Sequence, residues 1–512
     1  MSVQYVKLCS VILKQIFGEI VQKIGESLLG APSRTLKSVI KSTNLSRSDV
    51  CAGLSILIKF GIVEFSKSQV NETEVEYSIK KERVLFILKY SKYVYHIQTK
   101  YGAVAASIIE ELLRVGSETA TTLLSKCFIN ADNKDSLVNY RDMFINLINE
   151  RYIVRQPAPV TIADENNPIP ILKLEDDLYF KPPEINLSLL QEILTSQGPK
   201  PTPGELYWTV NFLQFHQDFR DLLMISAIEN KLGIGAGECL KFVLKLIYTK
   251  TFAWEKECSN PFSLAEVKQF IDKKKVSSDL IKYVDNYVVL IAEDSLGFLQ
   301  KVGEVGGGQY VVNFKKGLQE LAFICVENVI NEKFGSKAAR IFRVIKSKQY
   351  IEQEEIQKEA MIPSKEAKLL TYNLFQEHFI QIKTIRKAGG GGTGPAKSFF
   401  LFHTSLTPVV HMLLDHCHKS LCNIITRSVY EKSENKRLID KSQKLDSIVE
   451  TIKERGESEE YIAEILETLT PAEREILQNV KNHIKTLSTA ELILENTIFL
   501  LQLYQYHNSN KK

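Results

Sequence analysis

Four residues with metal-binding side chains, His411, Asp415, His418 and Cys422, recur at spacings of four, three and four, which puts them on one face of a helix. A tetrahedral site needs donors that converge from several directions, and four donors on one straight helix cannot close one. The pattern therefore predicts a structural role and no metal. Gly233 to Glu238 reads GIGAGE, a glycine spacing found in loops that cradle phosphate, but that chemistry needs a strand before the glycines and a helix after them. Here both flanks read as helix. Gly306 to Gly308 and Gly389 to Gly392 lack the Gly-Lys-Ser/Thr ending of a phosphate-binding loop and are expected as hairpin turns. No Asp-x-Asp occurs, so the paired carboxylates that hold two metal ions for nucleotidyl transfer are missing as a local motif. The expectation is a non-catalytic chain with no cofactor.

Cations are the more suggestive group. Arg34, Lys37, Lys41 and Arg47 fall in a stretch with no acid between Thr35 and Ser48, and Lys383, Arg386, Lys387 and Lys397 fall in one with no acid from Gln381 to Lys397. Loops and helix ends of this kind can follow a phosphate backbone, and these eight residues are the candidate DNA-binding set. The five glycines between Gly389 and Gly394 allow close approach to a phosphate and give little means of reading bases, so the expected binding is non-specific.

The elements that must position the second group run from Ile341 to His403. Apolar periodicity gives a helix closing near Ile345, another from Glu352 to Met361, and a third opened by Pro363-Ser364 with Ala367, Leu370, Leu374 and Phe375 as its inward stripe. Extended segments come next, at Phe379 to Thr384 and Ser398 to His403. Three helices and a hairpin in that order form a winged helix. The pattern recurs: an apolar helix ends in a short strand at GIVEF, RYIVR, GFLQKV and HFIQI. The first copy places one amphipathic helix over Leu8 to Leu29 and cations of the first group in its helix-turn-helix. In the second copy the return strand of the hairpin is expected at Ile171 to Leu174 or Leu178 to Phe180, and a helix is expected from Leu206 to Leu232.

The fold class read from this is mainly α with small β wings: four extended winged helices and then a C-terminal antiparallel coiled coil. The expected boundaries are 1–80, 81–180, a proline-rich linker at 181–205, 206–315, 316–404 and 405–512. In the last segment Leu438, Leu445 and Ile452 recur every seven residues, as do Val480, Leu487, Leu494 and Leu501. These heptads predict two arms folding back on each other around Arg455 to Pro471, with the seam residues as candidates for anchoring to a partner. Glu491 lies on the seam.

A chain of 512 residues with 44% apolar content is too long for one core. A net charge of +4 and a sequence pI near 8.4 exclude a histone-like binder, so nucleic-acid contact must come from local patches. Eight cysteines without a Cys-x-x-Cys pair predict buried free thiols in a reducing compartment. No 18-residue apolar run occurs, and the reading is a soluble intracellular protein.

Several strings are distinctive: LCSVILKQIFGEIVQKIGESLL, GGGQYVVN, ARIFRVI with AMIPSKEAKLL, ENKRLIDKSQKLDSI and ENTIFLL. In this order the chain resembles the third-largest subunit of eukaryotic RNA polymerase III. The resemblance implies four extended winged helices with a C-terminal coiled coil, and membership of a heterotrimer on the polymerase clamp. The implied partners are a second winged-helix subunit, a small acidic-tailed subunit, the clamp of the largest subunit and DNA near the bubble. The implied role, similar to that of transcription factor IIE, is promoter-dependent initiation and DNA opening in the nucleus, with catalysis left to the two largest subunits. Two rival classes are a scaffold of the proteasome-lid type and an independent DNA-binding regulator. The first places a single winged helix after helical repeats, whereas this chain has a wing by residue 80; the second needs a strongly basic surface.

Overall fold

The structure, a computed structural model, describes residues 2–68, 74–130, 137–157, 178–185, 187–188, 190, 206–250, 254, 256–273, 278–386, 398–455 and 468–509. The chain divides into two compact units, 1–219 and 220–512.

The first unit opens with α1 (Val3–Phe17) and α2 (Glu19–Leu29). The single helix expected over Leu8 to Leu29 is broken at Gly18, whose φ of 89° and ψ of −178° belong to a region that side chains with a Cβ avoid. Then come β1 (Arg34–Thr35), α3 (Leu36–Thr43), α4 (Arg47–Lys59), β2 (Val63–Lys67) and β3 (Val75–Ile79). Ser46 caps α4 by accepting from the Asp49 amide at 3.1 Å. The sheet order is β1-β3-β2, all antiparallel.

A connecting segment, α5 (Lys81–Phe86) and α6 (Tyr90–Tyr101), leads to the second winged helix. Its elements are α7 (Ala103–Val115), β4 (Glu118–Thr119), α8 (Ala120–Ile129), α9 (Leu137–Asn149) and β5 (Ile153–Arg155). The return strand corrects the sequence-based expectation. It is β6 (Tyr207–Val210), paired with both β4 and β5, at a place where periodicity predicts the start of a helix. Trp208 and Val210 point into the core while Tyr207 is exposed, the alternation of a half-buried strand. Of the two expected candidates, residues 178–180 form a turn and residues 171–174 lie outside the described set.

The helix α10 (Phe212–Leu232) begins at once and is tied down by a polar network. Asp218 accepts from the Tyr152 hydroxyl and meets the His96 Nε2 at 2.8 Å and the Lys100 Nζ at 3.3 Å. Burial opposes ionisation of Asp218, but these donors prevail and hold its carboxyl below the usual range.

The third winged helix continues the chain with α11 (Ile234–Lys250), β7 (Phe262–Ser263), α12 (Leu264–Lys273), α13 (Ser278–Glu293), β8 (Leu299–Gly303) and β9 (Gln309–Val312). Ser263 and Glu266 cap α12 reciprocally, each accepting from the other's amide. The glycines of GIGAGE are explained by packing. Gly233 turns between α10 and α11 at φ +98°; a Cβ on Gly235 would lie 2.6 Å from the Tyr287 hydroxyl, and one on Gly237 2.1 Å from the Glu229 Cγ.

The fourth winged helix comprises α14 (Phe314–Phe334), α15 (Ser336–Lys348), α16 (Gln353–Ala360), α17 (Ser364–Gln376), β10 (Gln381–Arg386) and β11 (Ser398–His403). Its third strand shrinks to one bridge, Ile351 to Phe402. On α17 the buried positions are Ala367, Thr371 and Leu374, whereas Phe375 is 39% exposed. The expectation that Phe375 lies in the core is therefore wrong, because one residue along a helix turns a side chain by about a hundred degrees.

Last come α18 (Leu406–Glu434), α19 (Lys436–Arg455) and α20 (Pro471–Ser509). The expected antiparallel hairpin is present, but the main partner of its second arm is α18. Thr407 meets Tyr504 and Lys441 meets Glu473, so α18 and then the start of α19 run antiparallel to α20. The main partners of α20 are α18 and α14, and α19 meets it at its first turn, where Lys441 pairs with Glu473. Leu501 and Val480 are buried, while Leu438, Leu445, Leu487 and Leu494 are half-buried. Thr470 and Glu473 form the capping box of α20, with Pro471 at its first position. All eight cysteines are free thiols; Cys9, Cys127 and Cys239 are buried, but Cys51 and Cys258 are exposed, against expectation. Among the described residues no helix is long and apolar enough to cross a membrane.

Candidate nucleic-acid and partner interface

In a winged helix the third helix and the hairpin offer the outward surface. In the first unit α4 turns Arg47, Ser48, Cys51, Ala52 and Ser55 to solvent. Lys41 and Arg47 are exposed and make no ion pair among the described residues. Lys37 is exposed but bound to Glu74 at 2.9 Å, and that carboxylate raises its pKa. Arg34 lies in β1 opposite Tyr77 and is half-buried. Beside it Glu76 accepts from Ser33 and Ser68, both at 2.6 Å, and these hydroxyls keep it ionised. The acid-free run in the sequence is thus not acid-free in space. Glu74, some forty positions away at the start of β3, pairs with Lys37, while Lys41 and Arg47 remain open cations.

In the fourth unit Lys383 stands in β10, exposed, with its Nζ 5.2 Å above the ring of Tyr350. Arg386 ends that strand opposite Ser398. The Arg386 side chain, Lys387 and Lys397 lie outside the described residues. The side of α17 away from the core forms a surface that the charge pattern of the sequence does not reveal. Leu369 is 62% exposed and Tyr372 53%, with Phe375 beside them and Phe399 and Phe400 on the wing. Lys365 and Lys368 flank them, exposed and without an ion pair among the described residues. The signal is present in the sequence: a second apolar stripe at helical spacing, offset from Ala367 and Leu374. By contrast, four of the five cations of α15 are compensated, Lys337 by Glu366, Arg343 by Glu327, Lys346 by Glu320 and Lys348 by Glu359, while Arg340 donates to the Ala360 carbonyl.

The histidine and cysteine row on α18 is dispersed. The His411 Nδ1 donates to the Thr407 carbonyl at 2.7 Å, while His418 is buried, which lowers its pKa. No group of three or more possible metal ligands forms among the described residues.

Four family models match the chain in the order of its elements. The RNA polymerase III subunit RPC82 helix-turn-helix domain covers residues 7–68, and the RNA polymerase III subunit RPC82 model covers 142–321. The POLR3C C-terminal winged-helix domain covers 326–404, and the helical hairpin domain of DNA-directed RNA polymerase III subunit RPC3 covers 437–500. The chain is 32% identical to the RPC3 subunits of Bos taurus and Homo sapiens, over 98% of both chains in each case. The RPC3 subunit of Danio rerio is 30% identical over the same shares. This chain belongs to the RPC3 family.

The RPC3 family frame fits the geometry. The helix-turn-helix model takes in α1 through β2, including the Gly18 joint, and the C-terminal winged-helix model ends on β11. The helical hairpin model spans α19 and most of α20. What this RPC3-family chain offers chemically is cations and an aromatic surface on rigid helices, which suits binding.

Proposed function

We propose that this protein works in the nucleus as the RPC3-type subunit of DNA-directed RNA polymerase III, without catalysing the reaction itself. Its role is promoter-dependent initiation and DNA opening, by winged-helix contacts to DNA and to partner subunits. The observation that carries this reading is identity of 32% over 98% of the chain with relatives named as RPC3 subunits of that enzyme. Lys41 and Arg47 in the first unit, and Lys383, Arg386, Lys387 and Lys397 around the fourth wing, supply phosphate-backbone contacts that are not sequence-specific. The partners are a second winged-helix subunit, a small acidic-tailed subunit and the clamp of the largest subunit. The heptad leucines of the C-terminal helices contribute to anchorage.

A second reading concerns the fourth unit. The outward face of α17 is apolar and aromatic, which favours a protein contact for the helix even where the wing meets DNA. Affinity purification from nuclear extract with mass spectrometry tests the main reading: the polymerase III subunits should be retained in near-stoichiometric amounts. Recovery as a free protein, or with a proteasome-type assembly, would overturn it.

A further inference from the structure

The burial of α20 changes along its length. Its middle is open, with Leu492 at 42% and Ile493 at 66% exposure, whereas Ile498, Leu501, Leu503, Tyr504 and His507 are all at 5% or less. These last turns do not rest on the arm α19. Tyr504 reaches Thr407 at the start of α18, with hydroxyls 3.3 Å apart, and Tyr506 lies 5.8 Å from the ring of Trp254, in the segment just after α11 of the third winged helix.

The place they reach is unusual. Arg220 of α10 is fully buried, 4.1 Å above the ring of Phe314 and 5.2 Å from that of Trp254. Its Nη2 donates to the Tyr248 hydroxyl at 2.8 Å, and Asp221 accepts from its Nε at 3.3 Å and from Tyr248 at 2.8 Å. Phe314, the first residue of α14, belongs to the core of the third unit. Glu257 fixes the start of that helix: its carbonyl accepts from the Phe314 and Lys315 amides, and its carboxylate holds the Lys315 ammonium at 2.5 Å. The charges of Arg220, Glu257 and Lys315 all act on His507. A buried guanidinium with stacked aromatics and a paired carboxylate is costly to assemble and rigid once complete.

Among the described residues, two connections are visible between the third winged helix and the rest of the C-terminal half. One is α14, rooted in the third core by Phe314 and continuing into the fourth unit. The other is the end of α20, which arrives from the helical hairpin and caps the Trp254 side of the arginine box. We propose that the last two turns of α20 are a brace that fixes the third winged helix in place, so that removing them leaves that unit mobile about the start of α14. The brace is independent of any nucleic-acid contact and of the proposed function.

Hydrogen exchange with mass spectrometry on the full chain tests this. In a Tyr506→Ala/His507→Ala variant, residues 212–250 and 310–320 should exchange at least about tenfold faster, equivalent to about 1.4 kcal/mol of lost local stability. Residues 340–380 of the fourth unit should be unchanged. Trp254→Ala removes the opposing partner and should give the same regional pattern, while Tyr506→Phe, which keeps the ring, should behave as wild type. Unchanged exchange at 212–250 in both alanine variants would overturn the proposal, and so would equal acceleration in the third and fourth units, since that would signal general destabilisation.

Discussion

Two buried histidines show how far single residues depend on their surroundings. His216 meets the Tyr93 hydroxyl at 2.9 Å, and burial, helped by the charges of Lys89 and Arg83, pushes its pKa down to about 3. His507 is pushed down to about 4, by burial first and then by Arg220, with Glu257 opposing and Lys315 assisting. Both are neutral in the folded protein at pH 7 and would titrate near 6.5 if unfolded. Between pH 6.5 and 4 the unfolded chain takes up protons that the folded chain refuses, so stability falls with falling pH. The slope is at most about 1.4 kcal/mol per pH unit for each histidine. Urea unfolding from pH 4.5 to 7.5 should show this loss, and His216→Asn or His507→Phe should flatten it. A slope unchanged in both variants would mean that neither ring is excluded from protonation. On α17 the same scale decides a second case. Leu374→Ala should cost about 2 to 5 kcal/mol, and Phe375→Ala clearly less, because only Leu374 is fully enclosed. Equal shifts in melting temperature would contradict that assignment.

At the scale of elements, each winged helix is preceded by a helix that meets its first helix at one glycine. Gly18, Gly102 and Gly335 have φ of 84° to 92° with ψ near 180°, and Gly233 has φ +98°. A Cβ at any of the four would touch nothing within 4 Å, so the requirement is one of backbone conformation and not of space. Gly335→Ala should therefore destabilise by about 1 to 3 kcal/mol, whereas a D-alanine placed there by chemical ligation should be tolerated. Thermal unfolding of the two proteins distinguishes them, and equal stability would remove the conformational argument. The Gly18 joint is hidden in the sequence because an apolar stripe continues across it: Leu8 to Leu29 reads as one helix although it is two. The capping boxes Ser263 to Glu266 and Thr470 to Glu473 are the opposite case, since residue type and spacing alone specify them.

For the molecule as a whole, a modest net charge leaves nucleic-acid affinity to a few open cations. If Lys383, Arg386, Lys387 and Lys397 each neutralise one phosphate, changing all four to Ser should flatten the slope of log affinity against log salt by about 3 to 4. Lys41→Ser with Arg47→Ser should flatten it by about 2, and Lys37→Ser by less than about 1, because Glu74 already compensates that charge. Salt titrations of DNA binding by the purified complex measure all three, and equal slopes throughout would return these residues to a solvated surface.

By itself the sequence determined the recurring order of helices and hairpins, the helical hairpin at the end and the family, because periodicity and turn chemistry are local and survive in one dimension. Only the tertiary structure decided which strand completes the second sheet, since Tyr207–Val210 finds its partners across some fifty residues that no local pattern spans. It also decided which cations stay open, as Glu74 returns beside a distant strand to meet Lys37, and that α20 pairs with α18, because a heptad specifies a seam but not its partner. Charge compensation and pairing depend on which residues meet in space, and those meetings are set by the packing of the whole chain.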